Sequence, residues 1–140
     1  IDYGYPRHEY YHPQRNKGSL TCFYRHRHHN NPFLYPGLQD LTAHIDFSAI
    51  AECGVKNDLS LLGYTTQSHF LFGAGIAQLT DKCSETFSDD DIVAQIELAN
   101  KVKKLTMPYE MGEIVIVIGF SKNCAVGLTA FNFKNMCDHL

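Results

Sequence analysis

The run EIVIVIGF, residues 113–120, constrains the fold more than any other part of the sequence. Its apolar side chains fall on both alternations of an extended chain. Because successive side chains of a β-strand point to opposite faces of the sheet, both faces of this strand need apolar cover. The run therefore predicts a central strand. With the helical and strand patterns elsewhere, it indicates an α/β sheet flanked by helices and not an all-α or all-β fold.

The clearest helical pattern precedes this strand. Apolar residues recur three and four positions apart, at Ile92, Ile96, Ala99, Val102 and Leu105. Acidic residues stand at the start, from Asp89 to Asp91, and Lys101, Lys103 and Lys104 stand near the end, so both ends suit the helix dipole. Pro108 follows and stops the helix.

Shorter elements are predicted in the middle of the chain. Phe47 to Cys53 has a helical pattern, with Asp46 as its N-cap and Gly54 at its end. Residues 59–65, LSLLGYT, form an apolar strand candidate. Residues 66–75, TQSHFLFGAG, follow as a helix that ends at its glycines.

The remaining segments predict loops and strands. Residues 5–18 contain two prolines and a glycine without an apolar period, which predicts a long surface loop. Residues 19–27, SLTCFYRHR, alternate as one strand would, so that His26 and His28 would share a face. Residues 127–133, GLTAFNF, could return as a hairpin partner of the central strand.

Length, composition and charge limit the classes of protein to consider. The 140 residues suit one domain, and 44% hydrophobic with 19% charged residues is a globular composition. The net charge of −3 gives no overall attraction to nucleic acid. No apolar run approaches the roughly 20 residues of a membrane helix. A local basic surface is expected near the first thirty residues, from Arg7, Arg15, Lys17, Arg25 and Arg27.

The cysteines indicate the redox compartment of the protein, and the first residues indicate whether the chain is a whole protein. Five cysteines without a C-x-x-C pair fit neither a disulfide framework nor a zinc knuckle, so a reducing compartment is expected. The chain opens without Met, in IDYGYP, as if at the end of a buried strand. Since such a strand needs neighbours, we expect the chain to be a fragment of a longer protein.

The segment YRHRHHNNPF, residues 24–33, allows three interpretations. His26 and His28, completed by His44 or Asp46, could hold a metal ion, although the neighbouring arginines oppose a cation. Aromatic residues interleaved with basic ones could bind nucleic acid, which the net charge disfavours. Exposed histidines without a ligand are the third alternative.

The richest polar run is QDLTAHIDF, residues 39–47. Asp40, Thr42, His44 and Asp46 alternate with apolar residues, so in an extended chain all four side chains would face one way. Strand alternation ending in a helix cap is the alternative, which explains Asp46 fully and the other three only in part.

Several segments together resemble MidA-type S-adenosylmethionine (SAM)-dependent methyltransferases. They are IDYG, YRHRHHNNPFLYPGLQDLTAHIDFSAIAE, GYTTQSHFL, GI and MPYEMGEIVIVIGF, which cover most of the chain. The most specific piece is P-G-x-x-D-L-T-A-H-x-D-F, from Pro36 to Phe47. Thr66 and Gln67, and the triplet at residues 111–113, support it. Relatives tend to have Asp where this chain has Asn30 and Asn31, so this chain lacks the charge that they have at that turn.

The resemblance implies a class I Rossmann-like methyltransferase sheet, with residues 1–140 as the C-terminal part of one domain. IDYG would end its fifth strand, LSLLGY would be its sixth, and EIVIVIGF its antiparallel seventh. The glycine-rich SAM loop and its acidic ribose-binding residue would lie upstream, in an N-terminal half, so this chain would be inactive alone. Mitochondrial members of the family assemble respiratory complex I and methylate an arginine of a core subunit, while bacterial members have less certain substrates.

The resemblance also implies roles for particular residues. Asp2, Tyr3 and Gly4 become candidates for contact with the cofactor, because α/β folds bind ligands at the carboxyl ends of their strands. Asp40, His44 and Asp46 become catalytic candidates. Substrate contact falls to Thr42, Gln67 and His26. No metal, nucleic acid or membrane span is implied; the expected partner is a protein substrate, and the expected location is the bacterial cytoplasm or the mitochondrial matrix.

Two alternatives stay open beside the enzyme. One is a methyltransferase-like scaffold that assists assembly through its basic, aromatic N-terminal third without catalysis. An intact glycine-rich loop upstream favours the enzyme, and a degenerate loop favours the scaffold. The other is a metal-dependent enzyme that uses the histidine-rich segment, which predicts stoichiometric zinc or iron in protein purified without added metal.

Overall fold

The computed structural model describes residues 1–88, 91–124 and 127–140. The strands, in chain order, are β1 (Asp2–Tyr5), β2 (Thr21–Tyr24), β3 (Arg27–His29), β4 (Asp40–Thr42), β5 (Ile45–Asp46), β6 (Ser60–Thr66) and β7 (Val115–Ser121). The α-helices are α1 (Arg7–Tyr10), α2 (Phe47–Lys56), α3 (Gln67–Gly73), α4 (Ile76–Ser84) and α5 (Ile92–Thr106). Short 3-10 helices span Pro13–Arg15, Thr129–Phe131 and Cys137–His139, and an irregular helical turn spans Pro108–Gly112.

The larger sheet has four strands in the order β5, β1, β7, β6. The last strand, β7, lies between β1 and β6 and is antiparallel to both, while β5 is parallel to β1. Val115, Ile116 and Val117 are all buried, so the side chains of β7 are covered on both faces. The predicted central strand and the mixed α/β architecture are therefore confirmed.

Different elements cover the two faces of this sheet. On one face Phe47 of α2 packs against Tyr64 and Ile116, with the Phe47 and Tyr64 ring centroids 5.6 Å apart. On the other face Phe131 lies over Gly63, and its ring is 5.3 Å from that of Phe70 in α3. A side chain at residue 63 would occupy the space of the Phe131 ring, so the glycine lets the 3-10 segment approach the sheet.

The smaller sheet has three antiparallel strands in the order β3, β2, β4. Arg25 and His26 form the turn between β2 and β3, with φ angles of 48° and 62°. Two residues with positive φ are what a tight hairpin turn requires, usually supplied by Asn or Gly. The strand predicted for residues 19–27 is confirmed at Thr21–Tyr24, but its continuation as one strand is wrong, because His26 lies in the turn and not on a face shared with His28.

Asp40, Thr42, His44 and Asp46 do not form one extended polar face. β4 belongs to the small sheet, where Thr42 pairs with Thr21, and β5 belongs to the large sheet. Residues 43 and 44 connect the two strands outside regular structure. The prediction that residues 39–47 form one extended run is wrong, because β4 pairs within the small sheet and β5 pairs within the large sheet.

Some of the predicted helices, strands and loops are confirmed and others are wrong. The helices predicted at residues 66–75 and 92–105 and the strand at 59–65 are confirmed. The predicted loop at residues 5–18 contains α1 and a 3-10 turn, and residues 129–131 are 3-10 where a hairpin strand was expected. Asp91 caps α5 by accepting a 3.1 Å hydrogen bond from the Ala94 N–H; Asp89 and Asp90 lie outside the described residues.

The end of α2 also differs from the prediction. The helix continues past Gly54 to Lys56, and Asn57 closes it. The Asn57 N–H donates to the Gly54 carbonyl at 3.0 Å, and its side-chain amide donates to the Cys53 carbonyl at 2.8 Å. In the part of the chain that the structure describes, none of the helices combines the length and apolar character needed to cross a membrane.

Candidate functional site

A cavity of about 280 Å³ opens beside β1 and the small sheet, and we call it the His44 cavity. Its lining residues are Tyr3, Ser19, Thr21, Phe23, Thr42, Ala43 and His44. It brings together one residue from each predicted group: Tyr3 from the cofactor group, Thr42 from the substrate group and His44 from the catalytic group. Tyr3 lies far from Thr42 and His44 in the sequence, so the fold brings β1 and the segment after β4 together.

Strand geometry explains the lining. Thr21 and Phe23 lie two residues apart on β2, so their side chains share a face. Thr42 stands directly opposite Thr21 in the antiparallel register of β2 and β4. Tyr3 comes from β1 of the other sheet and keeps 41% of its surface exposed. The cavity therefore lies where the two sheets meet.

His44 is held by its backbone and by neighbouring rings. Its N–H donates to the Ser19 hydroxyl at 3.1 Å, and its imidazole meets the Tyr5 ring edge to face at 5.0 Å between centroids. Partial burial, with the positive charge of Arg15 as the second cause, lowers the pKa of His44 below 6.5. The Arg15 guanidinium lies 3.8 Å above the Tyr5 ring. His44 is therefore neutral near pH 7 and able to accept a proton.

The carboxylate of Asp46 is engaged elsewhere. Its Oδ1 accepts a 3.0 Å hydrogen bond from the Ala49 N–H, which caps α2 as predicted, and its Oδ2 lies 3.5 Å from Arg7 Nε. Arg7 also donates to both carboxylate oxygens of Glu52, at 2.6 and 2.9 Å, and this pairing lowers the pKa of Glu52. Asp46 thus fixes the start of α2 beside β1.

The other predicted residues lie outside the His44 cavity. The Asp2 carboxylate accepts a 2.8 Å hydrogen bond from the Tyr3 N–H, and Gly4 is buried against Ile45. Asp40 is exposed on β4 opposite Phe23. Gln67 donates to the carbonyl of Leu105 at 2.9 Å, which ties α3 to the end of α5. His26 is exposed in its turn.

A second cavity, of about 390 Å³, opens at the carboxyl ends of β1 and β6. Gly4, Tyr5 and Thr66 line it together with two acidic side chains, Glu9 and Glu113, and we call it the carboxylate cavity. Sequence reasoning missed both glutamates, because nothing local links residues more than a hundred positions apart. Among residues 1–88, 91–124 and 127–140, no three His, Cys, Asp or Glu side chains are grouped to hold a metal ion.

Comparisons with known proteins agree with one another. Residues 1–65 match the model of a family described as "Putative S-adenosyl-L-methionine-dependent methyltransferase". A crystal structure of an uncharacterized protein from Burkholderia thailandensis is 47% identical, with a TM-score of 0.91 over 99% of this chain and 36% of that one. A second crystal structure, from the same organism, is described as a "likely methyl transferase" bound to S-adenosyl-homocysteine. Its sequence identity and TM-score are the same, and this chain covers 35% of its length.

No curated protein matches the chain. The chain spans about a third of the length of the two solved structures, so it is similar to one part of a larger protein. The matched family model and the description of the second solved structure nevertheless name the same class, that of SAM-dependent methyltransferases.

Proposed function

We propose that residues 1–140 are the substrate-side, C-terminal part of a SAM-dependent methyltransferase domain of MidA type. The observation that carries the proposal is the 47% identity, over 99% of this chain, to a protein whose structure holds S-adenosyl-homocysteine, the product of SAM after methyl transfer. The strand order around β7 supports the same sheet, since β7 joins β1 to β6 in antiparallel fashion.

The proposed cofactor is SAM, bound mainly by an N-terminal half of the same polypeptide. Within this chain the fit is partial. Gly73 is the last residue of α3 and Gly75 lies between α3 and α4, so neither follows a strand and they do not form the loop that cradles such a cofactor. The ring of Tyr3, exposed at the His44 cavity, offers one surface for contact, with Asp2 and Gly4 beside it on β1.

SAM supplies an electrophilic methyl group when it is bound. The residues of this chain would position the acceptor and take up its proton, since in-line displacement depends chiefly on placement of the nucleophile. His44 has the neutral imidazole that this step needs. The Thr42 hydroxyl lies in the same cavity, and Asp40 is two residues away on β4. Asp46 and Gln67 would act by holding α2 and α3 in place.

The proposed acceptor is an arginine of a protein, in the assembly of a respiratory complex. The carboxylate cavity supports a cationic acceptor. Glu9 and Glu113 both line it, and carboxylates pair with guanidinium groups through charge-assisted hydrogen bonds. The same pairing would orient the guanidinium for attack. Without its N-terminal half the chain is expected to be inactive.

Calorimetric titration with SAM tests the cofactor assignment. The chain alone and the intact protein that contains it are titrated side by side. We expect binding by the intact protein alone, because the main cofactor site lies in the other half. Binding by neither would refute the methyltransferase and favour a methyltransferase-like assembly scaffold.

Activity measurements test the residues. In the intact protein, transfer of labelled methyl groups from SAM to respiratory-complex subunits should fall ten-fold or more in Asp40→Asn and in His44→Gln, the scale of acid–base and positioning residues. His12→Gln, at an exposed histidine outside both cavities, is the matched control and should keep wild-type turnover. Glu113→Gln should raise KM for the acceptor. Label recovered in a residue other than arginine would overturn the acceptor and leave the enzyme class standing.

A further inference from the structure

A third cavity, of about 520 Å³, opens at the β2–β3 hairpin, and we call it the arginine pocket. Its lining residues are Tyr24, Arg25, Arg27, His28, His29, Leu34 and Tyr35. Its size falls within the roughly 300–1,000 Å³ of small-molecule sites. The arginine pocket and the His44 cavity have no lining residue in common. The two cavities are therefore separate.

The charges of the arginine pocket are all basic. Arg25 and Arg27 line it, and no Asp or Glu does. Among the described residues, neither arginine has a carboxylate within 4.0 Å, whereas Arg7 has two. The planar guanidinium of arginine pairs bidentately with carboxylate and phosphate groups. The two arginines around this pocket therefore provide ten N–H donors for an anion.

His29 provides a second, independent observation. Its Nδ1 accepts a hydrogen bond from the Asn31 N–H at 3.4 Å, so in the neutral imidazole the proton is on Nε2. That Nε2 is buried and has no hydrogen-bond partner among the described residues. A buried donor without an acceptor is destabilising, and because His29 lines the pocket, rotation of its ring toward a bound anion would supply the acceptor.

The walls of the pocket are preformed. The Tyr24 and Tyr35 rings stack at 4.2 Å between centroids, which joins β2 to the segment that follows β3. The Arg25 guanidinium lies 5.4 Å from the Tyr24 ring, and its residue has a left-handed φ of 48°. The tight β2–β3 hairpin turn requires that φ, so the turn fixes the backbone at Arg25.

We propose that the arginine pocket binds the carboxylate or phosphate group of a small anionic ligand. Arg25 and Arg27 supply charge and paired donors, His29 Nε2 a third donor, and the stacked tyrosines an apolar wall. The site goes beyond the proposed methyl transfer, because a cationic acceptor would be repelled from it. It therefore stands or falls independently of that function.

Calorimetry with two probes tests the site in the intact protein. Inorganic phosphate and citrate are titrated at constant ionic strength into the wild type, into Arg25→Gln/Arg27→Gln, and into Lys103→Gln/Lys104→Gln. The last variant removes the same charge from the exposed face of α5 and serves as the matched control. We expect saturable binding of one probe, weakened at least about ten-fold in the arginine variant and unchanged in the lysine variant. The tighter probe identifies phosphate or carboxylate as the ligand group.

A measurement on the wild type alone keeps the proposal refutable if the arginine variant does not fold. Phenylglyoxal modifies accessible arginines, and the bound probe should protect Arg25 and Arg27 but not Arg15, as read by mass spectrometry. Absence of binding in the wild type, equal weakening in both double variants, or unprotected Arg25 and Arg27 would each overturn the site.

Discussion

Replacement of Gly4 by alanine tests the junction that positions the His44 cavity. Gly4 pairs with Ile45 in the parallel β1–β5 ladder. A Cβ at residue 4 would overlap the Ile45 carbonyl oxygen and lie 2.9 Å from the Ile45 nitrogen and 2.8 Å from Phe47 Cε2. Ordinary contact begins at 3.4 Å, so β5 and the start of α2 would both have to move by more than half an ångström.

The size of the effect follows from what can move. Two of the three atoms are backbone, and Phe47 is only 2% exposed, so no flexible group can give way. Overpacking of such a site costs typically about 1–3 kcal/mol, and we place Gly4→Ala at the upper end, about 3 kcal/mol. With an m-value near 2 kcal/mol/M, the urea midpoint would fall by about 1.5 M.

Urea unfolding followed by far-UV circular dichroism measures this shift, a suitable signal because the chain has no tryptophan. Gly127→Ala is the control, since a Cβ there meets no atom within 4 Å, and its midpoint should change by less than about 0.25 M. A Gly4→Ala midpoint as close to wild type as that would refute the tight β1–β5 junction.

Two further predictions concern pH. NMR titration should give His44 a pKa below 6.5, and Arg15→Gln should raise that pKa part of the way back, since burial remains. Because the unfolded state binds more protons than the folded state when the folded pKa is lowered, His44 destabilises the protein as pH falls below 6.5. An unchanged His44 pKa in Arg15→Gln would contradict the assignment. Arg7 lowers the pKa of Glu52 from 4.5, so the stability from this pair is present above pH 4.5 and is lost as pH falls through the lowered value. Arg7→Gln should therefore flatten the acid limb of a plot of urea midpoint against pH, and parallel plots for variant and wild type would count against the pair.

The sequence predicted elements whose pattern is local. The alternation of residues 113–120 indicated a strand covered on both faces, and Asp46 was recognisable as an N-cap because Ser, Thr, Asp and Asn accept N–H bonds at helix starts. The hairpin turn was missed because Arg25 and His26 adopt a conformation usually taken by Asn or Gly. Nothing in the run 39–47 signalled that its two halves join different sheets.

The candidate site was predictable only where a local pattern marked its residues. The polar run singled out Thr42 and His44, the position at a strand end singled out Tyr3, and the fold brings the three together. Gly4 was expected to contact a cofactor, whereas its packing against Ile45 gives it a structural reason to be glycine. The contributions of Arg15 and Ser19 depend on a loop that folds back over β1, and no period or motif records such a contact.

The position of β7 has a consequence for how the protein folds. Tyr3 pairs with Val115, so the ladder between β1 and β7 closes a loop of more than a hundred residues, and pairings of that separation slow folding. During synthesis β1 and β6 both emerge before the strand that lies between them. They have no hydrogen bonds to each other in the finished sheet. A nascent chain that stops before residue 115 therefore has two unconnected edges, open to pairing with other chains until β7 arrives.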